Sequence, residues 1–205
     1  MDGLKFVRHF DSLRDASDAS LRILEVYAQR GAAKISQKAG FDGNKVVVVL
    51  DVDATLVNDK DGSPIDDIVR LAQAARARGS RVHVVTARLD DAEMLADTEA
   101  LLEELAVEYD SLTLAPDHAR DSMAIVSLWK DEQRRRIAEQ EGAPVFLSVG
   151  DNWSDALPLD SVARLGFLNK VQARDASKHV GDVKASLFRT GSGPTLYGLK
   201  VPTGL

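Results

Sequence analysis

Two aspartates spaced two residues apart, Asp51 and Asp53, follow directly on the apolar run Val46-Val47-Val48-Val49-Leu50. Far along the chain a second apolar run, Val145-Phe146-Leu147-Ser148-Val149, leads into Gly150-Asp151-Asn152-Trp153-Ser154-Asp155. Between them, Thr86-Ala87-Arg88 follows Val82-His83-Val84-Val85, and Lys130 lies in a charged segment. Carboxylates gathered in a partly buried cleft repel one another, and a cation or protons must offset them. An all-oxygen donor set suits a hard ion such as Mg²⁺, which binds through one or two carboxylates plus substrate phosphate. A threonine hydroxyl and a lysine ammonium both suit phosphate oxygens. Two carboxylates at i and i+2 on a strand end can divide labour: one attacks phosphorus while the other handles the leaving-group proton. Phosphoryl transfer through Asp51 is the chemistry these residue types suggest.

The elements that must position them alternate. Val46–Leu50 reads as a strand buried on both faces, because a continuous β-branched run has no solvent side. Helical periodicity follows over Ile65–Ala77, ending near Gly79, and then a strand over Val82–Val85. Next come a helix over Asp91–Val107, a short strand over Ser111–Leu114, a helix from Ser122 to about Glu141, and the strand Val145–Val149. Arg164–Leu168 is a candidate last strand. Alternating strands and helices imply a Rossmann-like α/β fold, a parallel sheet with helices on both faces. Ligands of open parallel sheets bind at the carboxyl ends of the strands, and the four segments named above fall there or in the helix before the last strand. Before the first strand, Asp11 to about Lys38 is amphipathic and helical, with a break near Gly31. The whole chain reads as one domain over 1–205, with an N-terminal helical segment of about 1–40. A Gly- and Pro-rich C-terminal arm of about 187–205 completes it.

These segments resemble the haloacid dehalogenase-like phosphatases. Asp51-Val52-Asp53-Ala54-Thr55 matches the first motif of that superfamily, Asp-x-Asp-x-Thr. Thr86 matches the second, Lys130 the third, and Gly150-Asp151 through Asp155 the fourth, in the same order and spacing. Gly-Asp-x-Trp-Ser-Asp preceded by Trp129-Lys130 resembles more narrowly the branch of class B and plant-type acid phosphatases. The resemblance implies a Mg²⁺-dependent phosphomonoesterase with a phospho-aspartyl intermediate. In it Asp51 is the nucleophile and a metal ligand. Asp53 is the general acid/base and offers its backbone carbonyl to the metal. Thr86 and Lys130 hold the phosphoryl group, and Asp151 and Asp155 belong to the metal site. Arg88 and Asn152 are candidate substrate-binding residues. The stretches from Thr55 to Thr86 and from Thr86 to Lys130 are too short for a large inserted cap. The expectation is therefore a minimal cap or none, with the N-terminal segment, the tail or a second subunit left to cover the site.

Bulk properties narrow the partners. The chain has 205 residues, is 44% hydrophobic and 28% charged, and carries a formal net charge of −6. That composition supports a packed core and disfavours a nucleic-acid footprint. Arg134-Arg135-Arg136 stands beside Asp131, Glu132 and Glu139 and reads as a solvated helical face. With no cysteine, thiolate nucleophiles, disulfides and Cys-based zinc sites are excluded. Nothing after Met1 has the apolar length of a signal peptide, and no run approaches a bilayer span. The expectation is a cytoplasmic protein acting on a small phosphorylated metabolite or nucleotide, as a monomer or homo-oligomer. Two other readings are a phosphatase of a macromolecular end, such as a nucleic-acid 3′-phosphate or a phosphoprotein, and a low-turnover phospho-accepting regulatory domain. His83 is expected in the core, and His118 and Lys200 in solvent.

Overall fold

The computed structural model describes residues 6–30, 45–152, 155, 185–189 and 195–202. Its elements in chain order are β1 (Phe6–Phe10), α1 (Leu13–Arg30), β2 (Val47–Leu50), α2 (Asp66–Ala77), β3 (Arg81–Leu89) and α3 (Ala92–Glu104). They continue with β4 (Ser111–Ala115), a 3₁₀ turn (Asp117–Arg120), α4 (Met123–Glu141), β5 (Val145–Gly150), β6 (Ala185–Arg189) and β7 (Thr195–Lys200). The seven strands form one sheet in the order β1-β6-β7-β5-β2-β3-β4. β4, β3, β2, β5 and β7 run parallel, while β6 is antiparallel to both β7 and β1. This is the expected Rossmann-like α/β fold, and no separate cap domain interrupts residues 45–152.

β2 lies at the middle of the parallel strands, and its residues are buried on both faces. Val48 and Leu50 enter the larger core cluster with Leu56, Ile68, Leu71 and Phe146, while Val47 and Val49 pack opposite with Val85, Ile137 and Val145. An alternating strand would have left one face in water; a continuous Val run does not. Local signals set several helix ends. Asp91 caps α3 by accepting from the Met94 N–H at 2.8 Å, and Ser122 caps α4 by accepting from the Ile125 N–H at 3.3 Å. Gly142 ends α4 in the left-handed conformation, φ 61°, which costs glycine least.

The two ends of the chain depart from expectation. The C-terminal arm is a correction: residues 185–189 and 195–200 are strands, and β7 pairs in parallel with β5 from Val145↔Thr195 to Gly150↔Lys200. Leu187 and Leu199 are buried and Tyr197 packs against Phe146, so the apolar residues among the glycines decide the outcome. The N-terminal segment is a strand before it is a helix. β1 closes the edge next to β6, and α1 buries Leu21, Leu24 and Tyr27, with the Tyr27 ring 4.2 Å from that of Phe146. Removing this segment would open the core. The helix break near Gly31 and the candidate strand over Arg164–Leu168 lie outside the described residues.

Candidate active site

β2 ends at Leu50, and the chain turns immediately. The Asp51 N–H still donates to the Val149 carbonyl, continuing the ladder to β5. Then the N–H groups of Thr55, Leu56 and Val57 all converge on the Val52 carbonyl. Ala54 sits in this loop at φ 52°, a left-handed conformation uncommon for a residue with a side chain and concentrated at functional loops. Beyond it, Val57 bridges to Pro64, forming a short flap that leads into α2. The turn leaves the Asp51 side chain buried at the carboxyl end of the sheet and that of Asp53 half-exposed, at 49%.

Of the motif residues, Asp51, Lys130, Asp151 and Asp155 come together. Lys130, on the first half of α4, is buried, and its Nζ lies 2.7 Å from Asp51 Oδ2 and 2.8 Å from Asp155 Oδ1. Carboxylate oxygens of Asp51, Asp151 and Asp155 lie within 4.8 Å of one another. Asn152 ties the loop after β5 together: its backbone N–H donates to Asp155 Oδ2 at 3.0 Å, and its side-chain amide donates to Asp151 Oδ1 at 2.9 Å. Its described contacts therefore face the acidic loop itself. Gly150 is required by close approach, because a Cβ there would overlap the Asp155 Cβ. Trp153, within this loop's motif, lies outside the described residues.

Lys130 and, at the end of β7, Lys200 face the three carboxylates, and burial sets the protonation of two of them. Burial pushes Asp51 up to about 7; Lys130 pulls it down and Asp155 pushes it further up. Burial likewise raises Asp151 to about 6, with Asp155 adding to the rise and Lys130 and Lys200 opposing it. For Lys130, burial works against the charge, but Asp51 and Asp155 outweigh it and hold the ammonium above its ordinary value. Such a cluster fits a divalent cation: all its donors are oxygens, they lie within 4.8 Å of one another, and burial already penalises the charged forms of Asp51 and Asp151. Asp53 does not share in it through its side chain, so the carboxylate cluster is Asp51, Asp151 and Asp155.

Thr86 and Arg88 were expected just beyond a strand, but β3 runs on to Leu89. Its pairing with β4 breaks register between Thr86 and Leu89, and the irregularity falls at these two residues. Thr86 is fully buried. Arg88 swings to the β2 loop and forks onto Asp53, with Nη2 2.7 Å from Oδ1 and Nε 3.1 Å from Oδ2. Its Nη1 also donates to Thr98 Oγ1. The partner of Arg88 is thus Asp53, rather than the neighbouring Asp90 or Asp91. His83 is buried in β3, 2.7 Å from Ser111 Oγ, as expected, and His118 is exposed on the 3₁₀ turn.

Two residues were misread from sequence. Arg134 is a correction to the solvated arginine face: its side chain is 2% exposed, against 51% for Arg135 and 67% for Arg136. It donates to the Asp155 carbonyl at 2.8 Å and to Asp131 Oδ1 at 3.3 Å. Helical phase gives the reason: Arg134 is four residues from Lys130 and so lies on the same face of α4. Lys200, expected in solvent, is half-buried at the end of β7, opposite Gly150 in the sheet register. Burial lowers its pKa, and Asp151 and Asp155 hold it up. Nothing in the composition of the tail pointed to it; only the strand pairing places it beside Asp151.

A family model described as HAD superfamily, subfamily IIIB (acid phosphatase), matches residues 55–164, more than half of the chain. The chain belongs to this family. The matched span contains Thr86, Lys130, Asp151 and Asp155 and begins just after Asp51 and Asp53. A search of curated proteins finds no match. Among solved structures, a chain of a Pnkp1/Rnl/Hen1 complex is 16% identical, with 58% of this chain and 46% of that chain covered and a TM-score of 0.45. This chain thus spans less than half of that relative. D,D-heptose 1.7-bisphosphate phosphatase from B. bronchiseptica, solved with magnesium and phosphate, is 18% identical over 58% of this chain and 75% of its own, with a TM-score of 0.41. No helix among the described residues is long and apolar enough to cross a membrane.

Proposed function

We propose that this phosphatase is a Mg²⁺-dependent phosphomonoesterase that passes the phosphoryl group of a small metabolite or nucleotide through Asp51. The observation that carries the reading is the joint placement of three elements at one sheet edge. Asp51 is buried against Lys130, Asp151 and Asp155 complete a close carboxylate cluster, and Asp53 stands two residues on with its carboxylate half-exposed. An Asp51 carboxylate oxygen attacks phosphorus, the bond from phosphorus to the ester oxygen breaks, and Asp53 gives that oxygen its proton. Water then attacks the aspartyl phosphate, Asp53 takes its proton, and inorganic phosphate leaves with Asp51 restored. Lys130 and the Thr86 hydroxyl would hold the transferring phosphoryl oxygens. The Arg88–Asp53 fork would keep the acid/base aimed, and Arg88 would meet a substrate anion from there.

Asp51, Asp151 and Asp155 would hold the Mg²⁺, with Asp53 adding its backbone carbonyl. Bound there, the ion supplies charge neutralisation for the nucleophile and the phosphoryl oxygens. A second reading, a phosphatase of macromolecular ends, is favoured by the lack of a cap over residues 45–152 and opposed by the net charge of −6. Phosphate release from a panel of sugar phosphates, nucleotides, 3′-phosphorylated oligonucleotides and phosphopeptides, with and without Mg²⁺, separates the readings. Turnover of small esters that needs Mg²⁺ is the expected result. Turnover confined to the macromolecules would replace the small-substrate reading, and equal rates in chelator would remove the metal from it.

A further inference from the structure

Arg134 is a charged group in the core that no part of the proposed reaction uses. Its guanidinium lies beside Asp131, whose side chain is 6% exposed, so the pair is close to neutral as a unit. Burial works to lower the Arg134 pKa, while Asp131 and Asp155 oppose that effect and favour the charged form. Burying such an ion pair costs desolvation, and replacing it with apolar packing is often neutral or stabilising. Its placement therefore suggests a role besides stability.

What the guanidinium touches suggests that role. Its Nη1 donates to the backbone carbonyl of Asp155 at 2.8 Å, and Ser148 Oγ, from β5, donates to the same carbonyl at 2.5 Å. Asp155 is thus held on both sides of its Cα. Two buried donors fix its carbonyl, and Lys130 and the Asn152 N–H fix its carboxylate. Gly150 provides the room in which its Cβ sits. Arg134 and Lys130 come from the same face of α4, one turn apart, so a single rigid helix sets both the ammonium between the carboxylates and the main chain that carries one of them.

We propose that Arg134, together with Ser148, is a positioning residue for the metal site. It clamps the Asp155 main chain so that the Asp155 carboxylate is presented to Asp51 and Asp151 before any cation arrives. The inference rests on the metal reading given above. Partners that orient ligands in this way are typically worth about 10–100-fold in metal affinity. Magnesium binding to the full chain, followed by calorimetry on Arg134→Lys and Ser148→Ala, tests it. Ser20→Ala serves as a control, since it deletes a buried hydroxyl bonded to the Ala16 carbonyl within α1. The expected result is Mg²⁺ binding weakened by about 10-fold or more in both clamp variants, with Ser20→Ala binding as wild type even where its Tm falls as far. Wild-type affinity in folded Arg134→Lys and Ser148→Ala would overturn the proposal. So would an affinity loss that tracks Tm across all three variants. Should Arg134→Lys not fold, Ser148→Ala decides alone. A wild-type protein that binds no Mg²⁺ would overturn the metal reading itself, whereas wild-type binding with unaffected variants would overturn only the clamp.

Discussion

The two edges of the sheet hold charge in opposite ways. At the amino ends of the strands, Asp110 sits between Arg76 at 2.8 Å and Arg81 at 2.6 Å and accepts the Val82 N–H at 2.8 Å. Glu141 lies beside Arg81 and Lys45. With Glu108 also paired to Arg76, three acids there face three permanent cations. Burial pushes Asp110 up, but the Val82 N–H and the two arginines outweigh it and hold it below the usual carboxylate range. At the carboxyl ends, Asp51, Asp151 and Asp155 share Lys130, and both Asp51 and Asp151 are raised. Both edges are rich in charge, but only one is left with an excess of it. A satisfied cluster stabilises the fold it sits in; an unsatisfied one has capacity to bind something.

Substitution should break the comparison most sharply. Asp51→Asn is expected to cut turnover by about 10⁴-fold or more, with Tm held or raised in the absence of metal because a carboxylate penalised by burial is gone. Asp110→Asn should leave kcat near wild type and lower stability by about 1–3 kcal/mol, since it leaves two arginines short of a partner. Steady-state kinetics and thermal melts on both proteins check this. A fully active Asp51→Asn, or an Asp110→Asn that is stable but inactive, would reverse the assignment of the two edges.

The pH dependence should also run in opposite directions. A carboxylate with a raised folded pKa contributes stability that is complete below its unfolded value of 3.8 and is lost as pH rises through the folded value. Asp51 and Asp151 therefore make the metal-free protein less stable as pH climbs from about 4 to about 7. Asp110, with a lowered pKa, contributes stability present above 3.8 and lost as pH falls through its lower folded value. Magnesium should consequently stabilise the protein far more at pH 8 than at pH 5. At about 100 times its dissociation constant it should add about 5–10 °C at pH 8, and Asp51→Asn should remove most of the difference. Equal shifts at both pH values would mean that the carboxylates are not the binding groups.

The smallest effect expected is at Lys200. Its charge opposes the rise in Asp151. Lys200→Met should therefore move the Asp151 carboxyl above its value of about 6, read by carboxyl-carbon NMR of the metal-free protein. An unmoved titration would place Lys200 outside the electrostatics of the site.

Much of the carboxyl-edge site was legible because its residues punctuate apolar runs. A Val run that ends in Asp-x-Asp and a second that ends in Gly-Asp mark two adjacent strand ends without any structure. What stayed hidden was set by phase and pairing. Arg134 looked like its neighbours Arg135 and Arg136, and only its distance of one helical turn from Lys130 separates it from them. Lys200 and the strands around it were masked by glycines, since a Gly-rich stretch reads as loop until Leu187, Tyr197 and Leu199 find a sheet edge to cover. The Arg88–Asp53 fork links residues far apart in sequence that the register break in β3 brings together.

The central claim is that Asp51 carries the phosphoryl group while Asp53 moves the proton. Incubating Asp53→Asn with Mg²⁺ and a turned-over phosphate ester, followed by intact-mass and peptide mapping at low pH, tests it directly. The account predicts a protein heavier by one phosphoryl group, with the label on the peptide containing Asp51 and absent in the Asp51→Asn/Asp53→Asn double variant. A label on any other residue, or none while the wild type turns over the same ester, would contradict it.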